Sequence, residues 1–244
     1  MERLLKRFPS LITPLQYLTI VLLYLQCSFL IGIAAFPSIY MIYFFWQNSE
    51  AWPLVLRLLV FSVVLAAGYF LYAIVIIFVI AGVCLLFRLK IKEGRYFVYS
   101  TGALRWANYN SLILIVRYTC MNFLRVTPFL PLFYQMMGAK MGRNVQINTT
   151  IIGDAALLEI GNNTVIGGDV TLVAHVAEGH ELIIKKVKIG SHVTVGMMSI
   201  IMPGVTIGDN VMIAANTVIP KDTQIPANTR WAGIPAKQIS PNRS

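Results

Sequence analysis

An apolar residue recurs at every sixth position through the C-terminal third of the chain. A helix repeats every 3.6 residues and a strand every 2, so neither element alone explains a period of six. A parallel β-helix explains it, because each hexad forms one short strand and a turn, and stacked coils bury the apolar positions in a common interior. Three hexads predict one triangular coil of 18 residues. The series is Ile189, Val195, Ile201, Ile207, Ile213, Ile219, Ile225 and Trp231, with earlier members at Met141, Ile147, Ile160, Ile166 and Leu172.

The repeat is interrupted between Leu172 and Ile189, which lie 17 positions apart instead of the 18 of three hexads. A loop that leaves a rigid coil and carries histidines and carboxylates is a suitable place for a general base, with a glutamate to orient the imidazole. The alternative is a set of solvated surface side chains. The histidines and carboxylates of this loop are His175, Glu178, His180 and Glu181.

Two long uncharged segments, residues 15–47 and 58–87, dominate the N-terminal half. Hydrophobic residues make up 57% of the 244 residues, above the roughly 45–50% of ordinary globular proteins. Each segment exceeds the roughly 20 residues that cross a hydrocarbon core. We predict two transmembrane helices, whose surplus length indicates tilt, extension into the headgroups, or kinks at Pro37 and Gly68. Four re-entrant segments are the alternative, but non-helical backbone facing lipid is costly. The first segment is too long for a cleaved signal peptide.

The positive charges predict the orientation of these helices. The whole net charge of +10 belongs to residues 1–143, which contain 13 basic and 3 acidic residues, and the loop between the helices carries only Glu50. The positive-inside rule then places the N-terminus and the C-terminal domain in the cytoplasm, as in a multi-pass protein of the plasma (inner) membrane. Nucleic acid is excluded as a partner because no recognition motif accompanies the basic residues. The flanking basic residues are Arg3, Lys6 and Arg7 before the first helix and Arg88, Lys90, Lys92 and Arg95 after the second.

A third apolar segment, residues 110–125, gathers its polar residues on one side of a helix. This pattern predicts a helix that lies in the membrane interface, and the alternative is a helix packed on its own protein. The prolines that follow, within residues 127–131, predict a connector that leads into the repeats. The predicted domains are a membrane region over residues 1–108, an interfacial helix and connector over 109–137, and the β-helix over 138–244.

Several motifs in and after the interrupted coil resemble those of the hexapeptide-repeat acyltransferases, which include the galactoside, maltose and xenobiotic O-acetyltransferases. The resemblance covers residues 138–239. It implies a left-handed parallel β-helix and a homotrimer in which neighbouring subunits share each coenzyme A groove. It also implies acyl transfer to a hydroxyl or an amine, most simply O-acetylation. The motifs are His175, Lys188-Ile189-Gly190, Ile201-Met202-Pro203-Gly204-Val205-Thr206-Ile207-Gly208-Asp209-Asn210, Lys221-Asp222 and Ala232-Gly233-Ile234-Pro235-Ala236-Lys237.

The resemblance implies roles for individual residues. His175 stands where the family has a histidine that removes the proton from the acceptor hydroxyl as it attacks the thioester of acetyl-CoA or another acyl-CoA. Glu178 is the predicted catalytic carboxylate beside it. Asn148 and His180 are predicted to contact the acceptor, although Asn148 also fits an ordinary coil corner. The predicted contacts with coenzyme A are Gly196 and Met197 at the oxyanion, Ala214 and Ala215 along pantetheine, Lys221 and Lys237 at the phosphates, and Trp231 and Gly233 at the adenine.

Two other functions stay open at this point. A zinc site like that of the β-helix carbonic anhydrases needs three histidines, and none precedes His175, so no metal is expected. A non-catalytic trimeric scaffold would not require the His175 loop together with the terminal motif.

The acceptor is predicted to be membrane-associated, such as a lipid-linked sugar or a glycolipid. Cationic residues after the second helix suit a phosphate-bearing lipid, or serve only to fix topology and contact anionic headgroups. They are Arg88, Lys90, Lys92, Arg95, Arg105, Arg117, Arg125, Lys140 and Arg143.

Overall fold

The computed structural model describes residues 12–241 of the chain, which begin with two long apolar helices. Helices α1 (Ile12–Asn48) and α2 (Leu54–Leu86) form an antiparallel hairpin. The Ser38 hydroxyl donates a hydrogen bond of 2.7 Å to the carbonyl oxygen of Gly68 and ties the two helices together. By length and composition, both helices could cross a membrane. The predicted basic flank of Arg3, Lys6 and Arg7 lies outside the described residues.

Short elements connect the hairpin to the repeats. Strand β1 (Gly94–Phe97) is followed by helices α3 (Thr101–Thr119), α4 (Met121–Leu124) and α5 (Phe129–Met136). The α3 helix begins after Ser100, whose hydroxyl oxygen accepts a hydrogen bond of 3.2 Å from the Ala103 N–H and caps the helix. The segment predicted as a connector contains the helix α5, which begins at Phe129 and has Pro131 in its first turn. Proline is tolerated there because the first helical N–H groups have no partner within the helix.

The helix predicted over residues 110–125 begins earlier in the structure, and one of its faces packs on protein. The α3 helix begins nine residues before position 110 and runs through the predicted domain boundary between residues 108 and 109. The side chains of Leu112 and Val116 are fully buried in one core with residues of α1 and α2, whereas Leu114 of the same helix is exposed. An amphipathic pattern does not distinguish lipid from protein as the apolar neighbour, and here the neighbour is protein.

The repeats form a parallel β-helix with three faces. Strands pair in parallel with the next coil, and partners in the last coils lie 18 positions apart, as Val195 and Ile213 do. Val195 is fully buried and Ile213 nearly so, as the hexad pattern predicts. The strands of the first face are β2 (Lys140–Met141), β4 (Leu158–Ile160), β9 (Val187–Ile189), β12 (Thr206–Ile207) and β15 (Gln224–Ile225). Those of the second are β3 (Gln146–Ile147), β5 (Val165–Ile166), β10 (Thr194–Val195), β13 (Met212–Ile213) and β16 (Thr229–Ala232), which β17 (Lys237–Pro241) extends antiparallel. Those of the third are β6 (Thr171–Leu172), β11 (Ile200–Ile201) and β14 (Val218–Ile219).

The interruption of the repeat is a β-hairpin that leaves the coil after the third face. Strands β7 (His175–Glu178) and β8 (Glu181–Ile184) pair antiparallel, and β8 also pairs antiparallel with β1. Leu172 pairs with Ile201, which lies 29 positions later. A regular coil would need 18 positions, so the hairpin adds 11 residues to this coil. A three-stranded sheet therefore joins the segment that follows α2 to the hairpin on which His175 lies.

Candidate active site

The hairpin begins at His175, whose ring meets a carboxylate from an earlier coil. The Nδ1 atom of His175 lies 2.5 Å from Oδ2 of Asp154. The side chain of Asp154 is fully buried, whereas 29% of the His175 side chain is exposed. Because the carboxylate occupies the Nδ1 side of the ring, Nε2 is the nitrogen available to an acceptor. An imidazole oriented in this way suits a general base.

Two side chains of α3 fix Asp154. The Trp106 indole N–H donates a hydrogen bond of 2.7 Å to Oδ1, and the Asn110 amide donates one of 2.9 Å to the same oxygen. The side-chain oxygen Oδ1 of Asn110 accepts a hydrogen bond of 3.0 Å from the backbone N–H of Asp154. The backbone N–H of Ala174 donates a hydrogen bond of 3.0 Å to Oδ2 of Asp154. The Trp106 ring also packs edge-on against the His175 ring, with centroids 4.6 Å apart. Both carboxylate oxygens thus have donors, which gives the side chain one orientation.

Tyr109 anchors α3 to the start of the β-helix. Its hydroxyl donates a hydrogen bond of 2.6 Å to the carbonyl oxygen of Met137 and accepts one of 3.0 Å from the N–H of Ala156. Burial raises the pKa of Tyr109 above its ordinary value, so the phenol stays protonated and donates at neutral pH. Trp106 and Asn110 flank this residue in sequence, so their positions relative to Asp154 are fixed with it.

The glutamates of the hairpin have other partners. Glu178 forms an ion pair with Lys221, and Glu181 lies 3.4 Å from Arg95 of β1. The carboxylate that contacts the His175 ring in the structure is therefore that of Asp154, while Glu178 pairs with Lys221. Side chains alternate along a strand, so residues 175 and 178 of β7 point to opposite faces of the hairpin.

The other histidines occupy different positions. His180 is exposed at the hairpin tip, where its backbone carbonyl accepts a hydrogen bond of 3.0 Å from the N–H of Val98. His192 stands at a coil corner with a φ of 57°, in the left-handed region that these corners require. Within residues 12–241, no three histidine, cysteine or acidic side chains come together as metal ligands.

Most of the predicted contacts with coenzyme A lie at the corner between the second and third faces. Gly196 directly follows β10, and Ala214 directly follows its partner strand β13. A Cβ atom at Gly196 would collide with the backbone of Ala215 in the next coil, so only glycine lets the two coils approach this closely. The exposed side chain of Met197 and the partly buried ring of Trp231 belong to the same column of coils. The predicted residues at this corner are Asn148, Gly196, Met197, Ala214, Ala215, Trp231 and Gly233.

The two predicted phosphate-binding lysines lie at different corners. Lys237 in β17 pairs with Ala232 and therefore belongs to the corner of Gly196. Lys221 follows β14 at the corner from which the hairpin leaves, where Glu178 engages its ammonium group. The hairpin that carries His175 leaves the coil at the same corner as Lys221. The proposed base and the corner of Gly196 and Ala214, here called the small-residue corner, therefore lie at the two ends of the third face.

Comparison with known proteins identifies the family. The family model for bacterial transferase hexapeptide repeats (six repeats) matches residues 186–221. YvoF of Bacillus subtilis (strain 168), an inferred acetyltransferase, is 31% identical over 134 residues, which cover 51% of this chain and 77% of YvoF. The chain belongs to the hexapeptide-repeat transferase family. The relatives named as acetyltransferases confirm the predicted class of enzyme, the acyltransferases, at the level of the family.

Other relatives match only in part. Galactoside O-acetyltransferase of Escherichia coli (strain K12) is 38% identical over 108 residues, 41% of this chain and 52% of that protein. Delta-poly-L-ornithine synthetase of Acinetobacter baumannii (strain AB307-0294) is 28% identical over 116 residues, 48% of this chain but only 9% of that protein. The chain therefore spans about half of one relative and a small part of the other.

Two solved structures that this chain resembles contain coenzyme A or acetyl-CoA. A galactoside acetyltransferase in complex with coenzyme A has a TM-score of 0.48 and 22% identity, covering 62% of this chain and 88% of that one. The hexapeptide-repeat acetyltransferase VCA0836 of Vibrio cholerae O1 biovar eltor, complexed with acetyl-CoA, has a TM-score of 0.40 and 25% identity, covering 44% and 62%.

Proposed function

We propose that this protein transfers an acyl group, acetyl in the simplest case, from acyl-CoA to a hydroxyl of a membrane-associated acceptor. The observation that supports this most strongly is the Asp154–His175 pair, because its carboxylate is fixed by side chains of a helix that packs on the apolar hairpin. The pKa of an alcohol is far above neutral, so its proton must leave during the attack. An imidazole with a pKa near 6.5 is suited to accept that proton.

In this mechanism Nε2 of His175 accepts the proton of the acceptor hydroxyl as its oxygen bonds to the thioester carbonyl carbon. The carbon–sulfur bond then breaks, and the thiol of coenzyme A leaves with the proton from the imidazolium. The carboxylate of Asp154 stabilises the imidazolium between the two steps. A backbone N–H at Gly196 or Met197 is the proposed donor to the developing oxyanion, and the small Ala214 and Ala215 side chains leave room for the pantetheine arm. Lys237 is the proposed contact with the phosphates.

We also propose that the β-helix winds to the left and that three chains assemble around it. His175 and the small-residue corner lie at opposite ends of the third face, so one chain does not bring them together. The corner of a neighbouring chain would complete the site. A detergent-solubilised complex is therefore expected to have a protein mass near three times 27.3 kDa, measured by light scattering. A fully active monomer would contradict both the trimer and the shared groove.

The proposed location is the plasma (inner) membrane, with both ends of the chain in the cytoplasm. Large apolar side chains such as Phe29 and Val55 are exposed along α1 and α2, and lipid is the environment that covers such a surface at low cost. In this proposed location, the packing of α3 on the hairpin supports a position of the Asp154–His175 pair close to the membrane surface, where a lipid-linked sugar or a glycolipid would present its hydroxyl groups.

The test of this function is mass spectrometry of lipids and surface glycans from cells with and without the protein. We expect one lipid or lipid-derived glycan to lack an acyl mass increment in the cells without it, and the native chain to restore that increment. Unchanged lipids and glycans, together with the loss of an acylated water-soluble metabolite, would contradict the membrane-associated acceptor.

A further inference from the structure

A small cavity lined by cations lies beside the candidate active site. It encloses about 60 Å³, and the charged side chains that line it are Lys90, Lys92 and Arg105. Trp106 also lines it, and the ring of Trp106 packs against that of His175. In the part of the chain that the structure describes, none of the three cations forms a salt bridge. Such a cavity attracts an anion, and lysine and arginine together are the side chains that recognise phosphate.

An apolar groove of about 790 Å³ approaches this cavity from the side of the membrane helices. Leu89 lines the groove, and the next residue, Lys90, lines the cavity. Asn108 lines the groove one helical turn after Arg105, so α3 forms a wall of both. Other side chains of α1 and α2 that line the groove are Phe29, Leu30, Ile33, Phe78, Val79 and Leu86.

A residue that lines the groove contains an unpaired acceptor atom. The Asn108 amide nitrogen donates a hydrogen bond of 2.8 Å to the side-chain oxygen of Gln26, whereas the Asn108 side-chain oxygen is buried without a partner. A buried carbonyl oxygen without a donor is uncommon in folded proteins.

We infer that the groove and the cavity together form a binding site for a phosphate-bearing lipid. The hydrocarbon chain lies in the groove between α1 and α2, and the phosphate lies among Lys90, Lys92 and Arg105. The headgroup beyond the phosphate then reaches His175 past the Trp106 ring. Lys90 and Lys92 follow the end of α2 by a few residues, and cations beside a proposed membrane-spanning helix suit contact with lipid phosphates. This inference rests on the proposed function, because it names the chemical class of its acceptor.

The test measures binding of three probes to the purified full chain in neutral-lipid nanodiscs. Farnesyl diphosphate has both the chain and the phosphates, farnesol has only the chain, and inorganic pyrophosphate has only the phosphates. We expect farnesyl diphosphate to bind at least about tenfold more tightly than either fragment, because one molecule engages both parts of the site. Equal affinity for pyrophosphate would indicate a water-soluble phosphate ligand and would overturn the inference.

Two variants with matched controls locate the bound lipid. The double variant Lys92→Gln and Arg105→Gln is expected to weaken binding of farnesyl diphosphate about tenfold. Its control is Arg95→Gln, because Arg95 pairs with Glu181 and does not line the cavity. We expect this control to leave the binding unchanged. Gly82→Phe fills the groove, because Gly82 lines it and has open space at its Cβ position, and weakens binding by a similar factor. Gly32→Phe is its control, at an equally open position of α1 that does not line the groove.

Unchanged binding in either test variant, or an equal loss in its control, overturns the inference. Coenzyme A retention by the native chain, measured in parallel, separates the two possible failures. A chain that does not retain coenzyme A contradicts the proposed function itself. A chain that retains coenzyme A but does not bind farnesyl diphosphate contradicts only the lipid site.

Discussion

Replacing His175 with alanine is expected to lower the rate of acyl transfer about 10²–10⁴-fold, the usual contribution of a general base. The ring of His175 is the only imidazole that contacts Asp154 within residues 12–241, and its loss leaves the acceptor hydroxyl without a proton acceptor. The affinity for acyl-CoA and the midpoint of thermal unfolding should change little, because the side chain is partly exposed. Initial rates at saturating acyl-CoA, with calorimetric titration of coenzyme A, measure both effects.

His180→Ala is the matched control for this substitution. His180 lies five positions later in the same hairpin, and its described hydrogen bond to Val98 uses the backbone carbonyl, which alanine retains. We therefore expect a much smaller loss of rate than His175→Ala causes. An inactive His180→Ala variant beside an active His175→Ala variant would assign the base to His180 instead.

Replacing Asp154 with asparagine is expected to lower the turnover rate about 10²-fold or more. The substitution preserves shape, but the new amide group would donate a hydrogen bond to Nδ1 of His175. The ring proton then moves to Nε2, and that nitrogen cannot accept a proton from the acceptor. The alternative amide orientation places its NH₂ group against the donors of Trp106 and Asn110, which costs stability. The turnover rate and the KM for acyl-CoA, measured together, should show a lower turnover rate and an unchanged KM.

The control for this substitution is Asp169→Asn, a second change from aspartate to asparagine in the β-helix. Asp169 accepts a hydrogen bond of 2.6 Å from Arg125 and does not contact His175. Native turnover is expected for this variant. An Asp154→Asn variant with native turnover would show that the carboxylate is structural and does not orient the base.

The architecture could be predicted where a short pattern determines it. The hexad residues are a local signal, since each apolar position must face the interior of its own coil. The length of the two uncharged segments is a local signal as well. The packing of α3 could not be predicted, because Leu112 and Val116 suit lipid and protein equally. The helix start at Ser100 was missed, although a serine before a helical segment is a recognised N-cap signal.

Some residues of the candidate site could also be predicted from a local pattern, and others could not. His175 could be found because it interrupts a regular repeat. Asp154 could not, since it lies 21 positions earlier and only the stacking of coils brings it to the ring. Trp106 and Asn110 belong to a segment outside the repeats, and no spacing in the sequence links them to Asp154. Glu178 is close to His175 in sequence, but the alternation of side chains along β7 points it to the opposite face of the hairpin.

The most direct test of the account is transfer of labelled acetyl from acetyl-CoA to lipid by the purified full chain. The vesicles are made from lipids of cells that lack the protein, because these lipids contain the unmodified acceptor. We expect the native chain to label the lipid fraction, and the His175→Ala chain to retain coenzyme A while labelling it about 10²–10⁴-fold more slowly. Equal labelling by the two chains, or label confined to the water-soluble fraction, would contradict base catalysis by His175 on a membrane acceptor.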